Sequence, residues 1–256
     1  MIRRVSFKNS NGVTLRGFVH IPRFRKKETA VIFLHGFPGR CTGTAARFCR
    51  MLEFLGFFCL RFGFTGTPPS AGKFEDKTMS QEVKDIRSAA DFLEKKYGHK
   101  KIALIGISTG AIDAALYGHT DKRVEKLVLL SGVSNLKHAA HYDFSDEQIR
   151  EFWKKGHITY RRPCHWVHRK KLKKAFYDEF FTLDIPSSIR KYRRPLLIVH
   201  GSNDVLVPEF NAHELYKIAH RPKKLVKLVI IKGADHTFSK LRHGLQVAWW
   251  VWKFVR

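Results

Sequence analysis

The chain has 256 residues, 44% of them apolar and 13% aromatic, which excludes a disordered or fibrous protein and suits one large domain over residues 1–256. Its 48 lysines and arginines against 22 acidic residues give a formal charge of +26, which argues against cationic partners and favours anionic ones. A basic proteome or a requirement for solubility gives the same excess, and no recognisable nucleic-acid-binding module accompanies it.

The start of the chain, its apolar runs and its cysteines indicate a cytoplasmic protein. The basic residues 1–4 are not followed by an apolar segment, so no secretory signal is readable. The longest apolar runs, 54–60 and 247–252, are too short to cross a bilayer, so we expect no transmembrane segment. The four cysteines have no paired spacing and Cys59 lies within a predicted strand, which favours reduced thiols.

Short apolar runs alternate with longer amphipathic segments, which predicts strands joined by helices. The chain opens with a hairpin, residues 5–9 and 14–21, that turns at Asn11-Gly12. The other predicted elements are strands at 30–34, 57–62, 101–107, 124–130, 196–199 and 225–231, and helices at 44–55, 80–98, 111–117 and from about residue 239. Several strands are apolar throughout, as expected when helices cover both faces of the sheet. The predicted fold class is α/β with a mostly parallel central sheet.

Residues 134–194 interrupt this alternation because they lack a buried-strand pattern. An excursion of this length in an α/β sheet usually forms a cap, and we predict an inserted lid over the functional site. Within it, residues 150–174 contain ten lysines or arginines and one acidic residue, interleaved with Trp153, Tyr160 and Trp166. The basic lid predicts attraction of an anionic substrate or surface.

One serine follows a predicted strand on a sharp turn, in the run Gly106-Ile107-Ser108-Thr109-Gly110. This G-x-S-x-G pattern is the nucleophile elbow, in which the two glycines keep side chains out of a tight turn between strand and helix. Asp204 and His236 follow at predicted turns after later strands. Nucleophile, acid and base therefore occur in the chain order of the α/β hydrolases.

These three residue types form a chemical unit. A serine hydroxyl at neutral pH is a poor nucleophile and needs a base, for which His236 is suited because imidazole has a pKa near 6.5. Asp204 would hold the ring in the useful tautomer and stabilise the imidazolium. Since Ser108 and Asp204 follow strand ends and His236 follows the last strand, we expect all three at one rim of the sheet.

Two backbone amides are candidates for the oxyanion hole. The first is the N–H of Thr109, directly after the nucleophile, at the start of a helix whose amides point toward the developing negative charge. The second lies in His35-Gly36-Phe37-Pro38-Gly39, after the strand at 30–34. Pro38 has no N–H to donate, so we predict the N–H of Phe37.

Other residues of the right types are weaker candidates. Ser131 ends a strand but lacks a preceding glycine, and Asp235 is adjacent to His236, where neighbouring side chains usually diverge. Asp113 is expected within the helix behind the elbow. His35 is expected to brace the oxyanion loop by hydrogen bonding.

Two further motifs favour structural interpretations. Cys164-His165-x-x-His168 has zinc-ligand residue types but no evident fourth ligand, and its basic flanks would repel a dication. We therefore expect no metal. The tail Trp249-Trp250-Val251-Trp252 is more consistent with a helix packed on the sheet than with a membrane anchor. No G-x-G-x-x-G or phosphate-loop motif is present, so we expect no cofactor either.

The motifs resemble those of the α/β-hydrolase superfamily and, within it, the small microbial serine esterases of the feruloyl (cinnamoyl) type. The resemblance covers most of the chain and implies that Ser108, Asp204 and His236 are nucleophile, acid and base. The segments that carry it are His35-Gly36-Phe37, Arg61-Phe62, Gly72-Lys73-Phe74-Glu75-Asp76, the elbow, Gly201-Ser202-Asn203-Asp204-x-x-Val207-Pro208 and Gly233-Ala234-Asp235-His236-x-Phe238-Ser239. The loop at 63–70 and the basic lid differ from such esterases, and both differences concern substrate identity.

We therefore expect a cofactor-independent serine hydrolase that cleaves small carboxylic esters, of feruloyl, cinnamoyl or short acyl type, through an acyl-enzyme. The basic lid also suits an anionic substrate, such as an acyl thioester of a phosphorylated carrier. A thioesterase, a prolyl-oligopeptidase-like peptidase and a polyanion-binding protein on a hydrolase fold are alternatives. We expect no specific nucleic-acid partner, and nothing in the sequence specifies an oligomeric state.

Overall fold

A mostly parallel sheet flanked by helices forms the framework of the chain. The computed structural model describes residues 1–24, 26–219, 222 and 225–256. The strands are β1 (Ile2–Lys8), β2 (Thr14–His20), β3 (Ala30–Leu34), β4 (Cys59–Phe62), β5 (Ile102–Ile107), β6 (Val124–Leu130), β7 (His157–Thr159), β8 (Lys171–Lys173), β9 (Leu196–Gly201) and β10 (Val226–Ile231). The helices are α1 (Thr44–Phe54), α2 (Met79–Tyr97), α3 (Thr109–Gly118), α4 (Leu136–Asp143), α5 (Asp146–Lys155), α6 (Lys174–Thr182), α7 (Ile185–Lys191), α8 (Phe210–Ala219) and α9 (Leu241–Val255).

The order of the strands creates a crevice at one edge of the sheet. Within the described residues, the main sheet has the order β1-β2-β4-β3-β5-β6-β9-β10, with β1 and β2 antiparallel to their neighbours and the remaining pairs parallel. Strands β4 and β5 lie on opposite sides of β3, and β6 lies beyond β5. The chain therefore leaves β3 toward β4 and leaves β5 in the other direction, toward β6. The loops after β3 and β5 therefore leave the sheet in opposite directions, which is where α/β sheets bind ligands.

Two apolar layers bury the strands from both sides. In β3, Ile32 and Leu34 belong to the cluster that includes the inner faces of α2 and α3, whereas Val31 and Phe33 belong to the cluster that includes α1 and α9. Every residue of β3 is buried because its side chains alternate between these two layers. The predicted α/β class with a sheet covered on both faces is confirmed.

Local sequence rules account for most element boundaries. The helix α2 begins after Thr78, whose Oγ1 accepts a hydrogen bond from Gln81 N at 3.1 Å, and ends at Gly98 in the left-handed conformation (φ 74°). The predicted start at residue 80 is one residue late. Helix α8, between β9 and β10, was not predicted.

The segment between β6 and β9 contains α4 to α7 and a separate two-stranded ribbon of β7 and β8. Helix α6 packs on α4, and α7 packs on α3 and α8, within the helical layer of the sheet. The Glu179 carboxylate of α6 accepts hydrogen bonds from the backbone N–H groups of Met79 and Ser80. It thereby joins the insertion to the positive end of α2.

All four cysteines are free thiols, three of them buried. None of the helices in the part of the chain that the structure describes combines the length and the apolarity that a membrane crossing requires.

Candidate active site

The turn that carries Ser108 is tightly packed between β5 and α3. Ser108 has φ 57° and ψ −127°, a conformation that L-residues rarely adopt. A Cβ atom on Gly106 would lie 1.9 Å from the carbonyl oxygen of Gly110, and one on Gly110 would lie 2.6 Å from that of Leu34. The turn therefore requires both glycines, and it leaves the Ser108 side chain partly exposed.

Asp204 and His236 form a close pair. His236 Nδ1 donates to Asp204 Oδ2 at 2.7 Å, and the backbone N–H groups of Leu206 and Val207 donate to Oδ1 at 3.0 and 2.9 Å. Buried His200 lies on the other side, with its Nε2 3.3 Å from Oδ2 and 2.9 Å from the carbonyl oxygen of Val207. The Asp204 carboxylate is thus held rigidly against one ring nitrogen of His236.

These contacts keep Asp204 ionised. Burial alone would raise the pKa of its carboxyl group, but hydrogen bonds from His200, His236 and the Val207 N–H outweigh burial and hold this pKa well below its usual range. An ionised Asp204 fixes the proton of neutral His236 on Nδ1 and leaves Nε2 as the basic nitrogen.

The turn that carries His236 is braced from three sides. Asp235 accepts hydrogen bonds from the backbone N–H groups of Thr237 and Ser239 at 3.1 and 2.9 Å. Ser131 Oγ donates to the carbonyl oxygen of His236 at 2.9 Å, and the Arg47 guanidinium donates to those of Thr237 and Ser239. Ser131 and Asp235, the weaker candidates for nucleophile and acid, are thus both engaged in supporting this turn.

Ser108 and His236 line the same cavity, which has a volume of about 340 Å³. No hydrogen bond joins their side chains within the described residues. Catalytic hydrogen bonds are often long in enzymes without substrate and tighten when substrate binds. The sequence-predicted residues Ser108, Asp204 and His236 are brought together at one rim of the sheet.

Two backbone amides next to Ser108 have no partner among the described residues. The N–H of Thr109 is one of the amides at the start of α3 that a helix leaves unpaired, and the N–H of Phe37 lies in the loop after β3. This loop runs along the elbow, since a Cβ atom on Gly36 would lie 3.4 Å from Ser108 Oγ. The arrangement leaves two donors for an oxygen bound above Ser108.

Contacts on both sides hold the oxyanion loop. His35 Nδ1 donates to the carbonyl oxygen of Gly36 at 2.9 Å, and burial followed by the charge of Lys77 lowers the pKa of His35 to about 3, so this imidazole is neutral. From the insertion, Trp166 Nε1 donates to the carbonyl oxygen of Pro38 at 2.7 Å. The Phe37 ring stacks on Phe176 with ring centres 4.6 Å apart.

Asp113 lies away from this cavity. It is fully buried in α3 beside Glu82, which pairs with Lys77, and burial followed by the charge of Glu82 raises the pKa of Asp113. Within the described chain, no three histidine, cysteine or acidic side chains are grouped so that they could hold a metal ion. Cys164 and His165 instead line the cavity of Ser108.

The structure adds one acidic residue that sequence patterns missed. Asp143, the last residue of α4, lies within electrostatic range of His236, Arg162 and the hydroxyl of buried Tyr160. Burial raises the pKa of Asp143 to about 7, although the charges of His236 and Arg162 act in the opposite direction. No local motif surrounds Asp143, so only the packing of α4 reveals it.

A comparison with known families identifies the chain. The sequence profile of the Hydrolase_4 family, described as serine aminopeptidase, S33, matches residues 25–180, which is more than half of the chain. The protein belongs to the Hydrolase_4 family. It is thus an α/β hydrolase, as its sequence motifs predicted, and its mostly parallel sheet agrees with this.

Curated relatives and solved structures agree with this membership. Palmitoyl-protein thioesterase ABHD10, mitochondrial, of Homo sapiens is 25% identical over 230 residues, covering 84% of this chain and 69% of the relative. The structure of Est1E from Butyrivibrio proteoclasticus with bound ferulic acid is 25% identical, has a TM-score of 0.81 and covers 98% and 97% of the two chains. Mouse alpha/beta hydrolase domain-containing protein 10 is 18% identical with a TM-score of 0.78 over 99% and 98%, which shows the shared fold.

Proposed function

We propose that this α/β hydrolase is a serine esterase that cleaves carboxylic esters through an acyl-enzyme, with Ser108, His236 and Asp204 as its triad. The observation that carries the proposal is the 2.7 Å contact between His236 Nδ1 and Asp204 Oδ2, together with the position of His236 in the wall of the cavity that Ser108 also lines. Membership of a hydrolase family and the similarity to Est1E support it.

The residues divide the chemistry between them. Ser108 Oγ attacks the ester carbonyl carbon while His236 Nε2 takes the hydroxyl proton, and the N–H groups of Phe37 and Thr109 bind the oxyanion. The tetrahedral intermediate expels the alcohol, which takes the proton from His236 as the C–O bond breaks. Water then attacks the acyl-enzyme, again losing its proton to His236, and releases the acid and free Ser108.

The insertion acts as the lid of this site. Phe176 covers one face of Phe37, and Trp166 donates to the loop that carries the Phe37 amide. The lid therefore fixes one wall of the cavity and one oxyanion donor. We assign residues 134–194 to it, with α7 as the segment that returns to the helical layer.

Hydrolysis of thioesters is a second candidate. The curated relatives, which include the human and Pongo abelii proteins, are named palmitoyl-protein thioesterases, and the Pongo abelii protein is 24% identical over 85% of this chain. The same nucleophile and oxyanion donors serve esters and thioesters, because both react through a tetrahedral intermediate.

A panel of substrates tests the proposal. Purified protein is assayed with p-nitrophenyl esters of graded chain length, methyl ferulate, acyl thioesters and an aminoacyl p-nitroanilide. We expect ester hydrolysis, with Ser108→Ala lowering kcat/KM by about 10³-fold or more.

Ser88→Ala, on the surface of α2, is the matched control and should stay within about twofold of wild type. Turnover of the anilide alone would assign a peptidase instead. Thioester hydrolysis alone would assign the second candidate. Full ester hydrolysis by Ser108→Ala would refute the assignment of the nucleophile.

A further inference from the structure

We propose that the mouth of the active-site cavity is an anion subsite, formed by Arg40 and His165 and strengthened by the nearby charge of Arg162, that selects small esters carrying a carboxylate or a phosphate. The inference rests on the proposed function for its kinetic readout and on geometry for its location. Arg40 and His165 line the cavity together with Ser108. Arg162 belongs to the same turn, since its carbonyl oxygen accepts the His165 N–H at 3.1 Å, and its side chain lies over the Tyr160 ring in a separate cleft.

The positive charges at this mouth have few anionic partners. Neither Arg40 nor Arg162 forms an ion pair with a carboxylate of the described residues, and both side chains are exposed. Of the ten lysines and arginines in residues 150–174, three form such pairs in the described structure, namely Lys155, Lys173 and Lys174. The other seven have no carboxylate partner among the described residues.

The two arginines both act on His165. Burial, then Arg162 and Arg40, lower the pKa of His165, which places the three groups within electrostatic range. Like charges held together without a counter-charge raise the free energy of the empty site, and an anion bound between them removes that repulsion. A concave wall focuses the field and increases this attraction.

Two acidic groups face the same region without cancelling its charge. Asp204 is engaged by His236 and His200 on the far side of the imidazole. Asp143 faces Arg162, but its carboxyl group has a pKa of about 7 and is only partly ionised at neutral pH. The mouth thus stays positive, and its place beside the nucleophile suits an anionic group on a substrate of small size.

Matched esters test the subsite. The first set is p-(butyryloxy)benzoate, p-(butyryloxy)phenyl phosphate and neutral methyl p-(butyryloxy)benzoate, which differ in the alcohol portion. The second pair is p-nitrophenyl hemisuccinate and neutral p-nitrophenyl methyl succinate, which differ in the acyl portion. We expect wild type to favour the anionic member of at least one set by about tenfold in kcat/KM, with a smaller preference at high salt.

Single substitutions locate the preference. Arg40→Gln and Arg162→Gln should each lower the ratio of anionic to neutral kcat/KM by about fivefold, because each removes a positive charge that only the anionic ester uses. The control is Arg4→Gln, an exposed arginine of edge strand β1, which is separated from β5 by three other strands. Ratios near one in wild type, or ratios unchanged in both Arg40→Gln and Arg162→Gln, would overturn the subsite.

Binding separates failure of the subsite from failure of the proposed function. If no ester is hydrolysed, the proposed function fails. Calorimetric titration of Ser108→Ala with the same esters still measures whether the subsite binds the anionic ester more tightly than the neutral one. Tighter binding of the anionic ester, weakened about fivefold by Arg40→Gln, supports it. Equal dissociation constants for the anionic and neutral esters contradict it.

Discussion

At the residue scale, Asp204 shows how burial and hydrogen bonding set the properties of a proposed catalytic group. Its carboxylate would be costly to bury alone, yet two backbone N–H groups and two imidazoles satisfy it. The hydrogen bonds outweigh the desolvation and keep the group ionised through the whole neutral range. His236 is therefore oriented before substrate arrives.

Asp204→Asn tests this role. The amide has no charge to stabilise the imidazolium, and its NH₂ group favours the wrong tautomer of His236. We expect kcat for ester hydrolysis to fall by about 10³-fold or more with little change in the far-ultraviolet circular dichroism. Asp146→Asn, an exposed residue of α5, is the control and should keep wild-type activity. Similar activities for the two variants would contradict the role of Asp204.

Asp143 gives the mouth of the cavity a pH dependence. Its pKa of about 7 means that the carboxyl group is mostly neutral at pH 6 and mostly ionised at pH 8. The added negative charge faces Arg162 and His236, so the ratio of anionic to neutral kcat/KM should fall as the pH rises, and Asp143→Asn should flatten this change. The neutral ester, measured at each pH, cancels every pH effect that the two esters share. A slope that persists in Asp143→Asn would show that another group is responsible.

At the element scale, the contact between the elbow and the end of β3 fixes the site. Gly110 of α3 packs on the carbonyl oxygens of Leu34 and His35, so the helix approaches the strand more closely than any side chain would permit. The amide of Thr109 and the loop that carries Phe37 are thereby brought to the same space above Ser108.

Gly110→Ala should disrupt this approach. The new Cβ would lie 2.6 Å from Leu34 O and 2.7 Å from His35 O, both backbone atoms of the tightly packed core. We expect the free energy of unfolding in urea to fall by about 3 kcal/mol, together with a loss of activity. Gly98→Ala, at the exposed end of α2 with nothing within 4 Å, should lose about 1 kcal/mol through its positive φ. Equal losses in the two variants would contradict the packing argument.

Local patterns predicted the elements that bury continuous apolar runs. The bounds of β3 and β6 coincide with the predicted ranges 30–34 and 124–130, because β3 is apolar throughout and β6 ends in the buried apolar run 127–130. The ribbon of β7 and β8 escaped prediction because strands of three residues are too short to show a period. Helix α8 lies between the strands predicted at 196–199 and 225–231, where no element was predicted.

The residues of the candidate site also fall into two groups, those that local motifs predict and those that only long-range packing reveals. Ser108, Phe37 and Thr109 belong to short motifs whose neighbouring residues indicate the local backbone geometry. Asp143, in contrast, comes near His236 only through the packing of α4. The brace from Ser131 to the His236 carbonyl oxygen is also a long-range contact. Sequence patterns therefore predicted the groups proposed to react, and the three-dimensional structure was needed to see what surrounds them.

At the scale of the whole molecule, we expect the charge of +26 to act on stability. Unbalanced positive charges repel one another in the folded state, and salt weakens that repulsion by shortening the Debye length from about 30 Å at low ionic strength to about 8 Å at physiological ionic strength. Attraction of anions to the lid should weaken over the same range.

Thermal unfolding measures this effect. We expect Tm to rise by a few degrees when sodium chloride is increased from about 0.01 M to about 0.15 M. The counter-ion should be chloride throughout, because phosphate or sulfate would also bind a cationic site. A Tm that falls or stays constant over this range would show that the charges are already balanced within the fold.

The identity of the nucleophile is tested most directly by covalent labelling. Intact protein is treated with a fluorophosphonate, and the modified residue is located by peptide mass spectrometry. We expect a single adduct on Ser108, absent from Ser108→Ala and formed far more slowly by His236→Gln. An adduct on another serine, or equal labelling of wild type and Ser108→Ala, would contradict it.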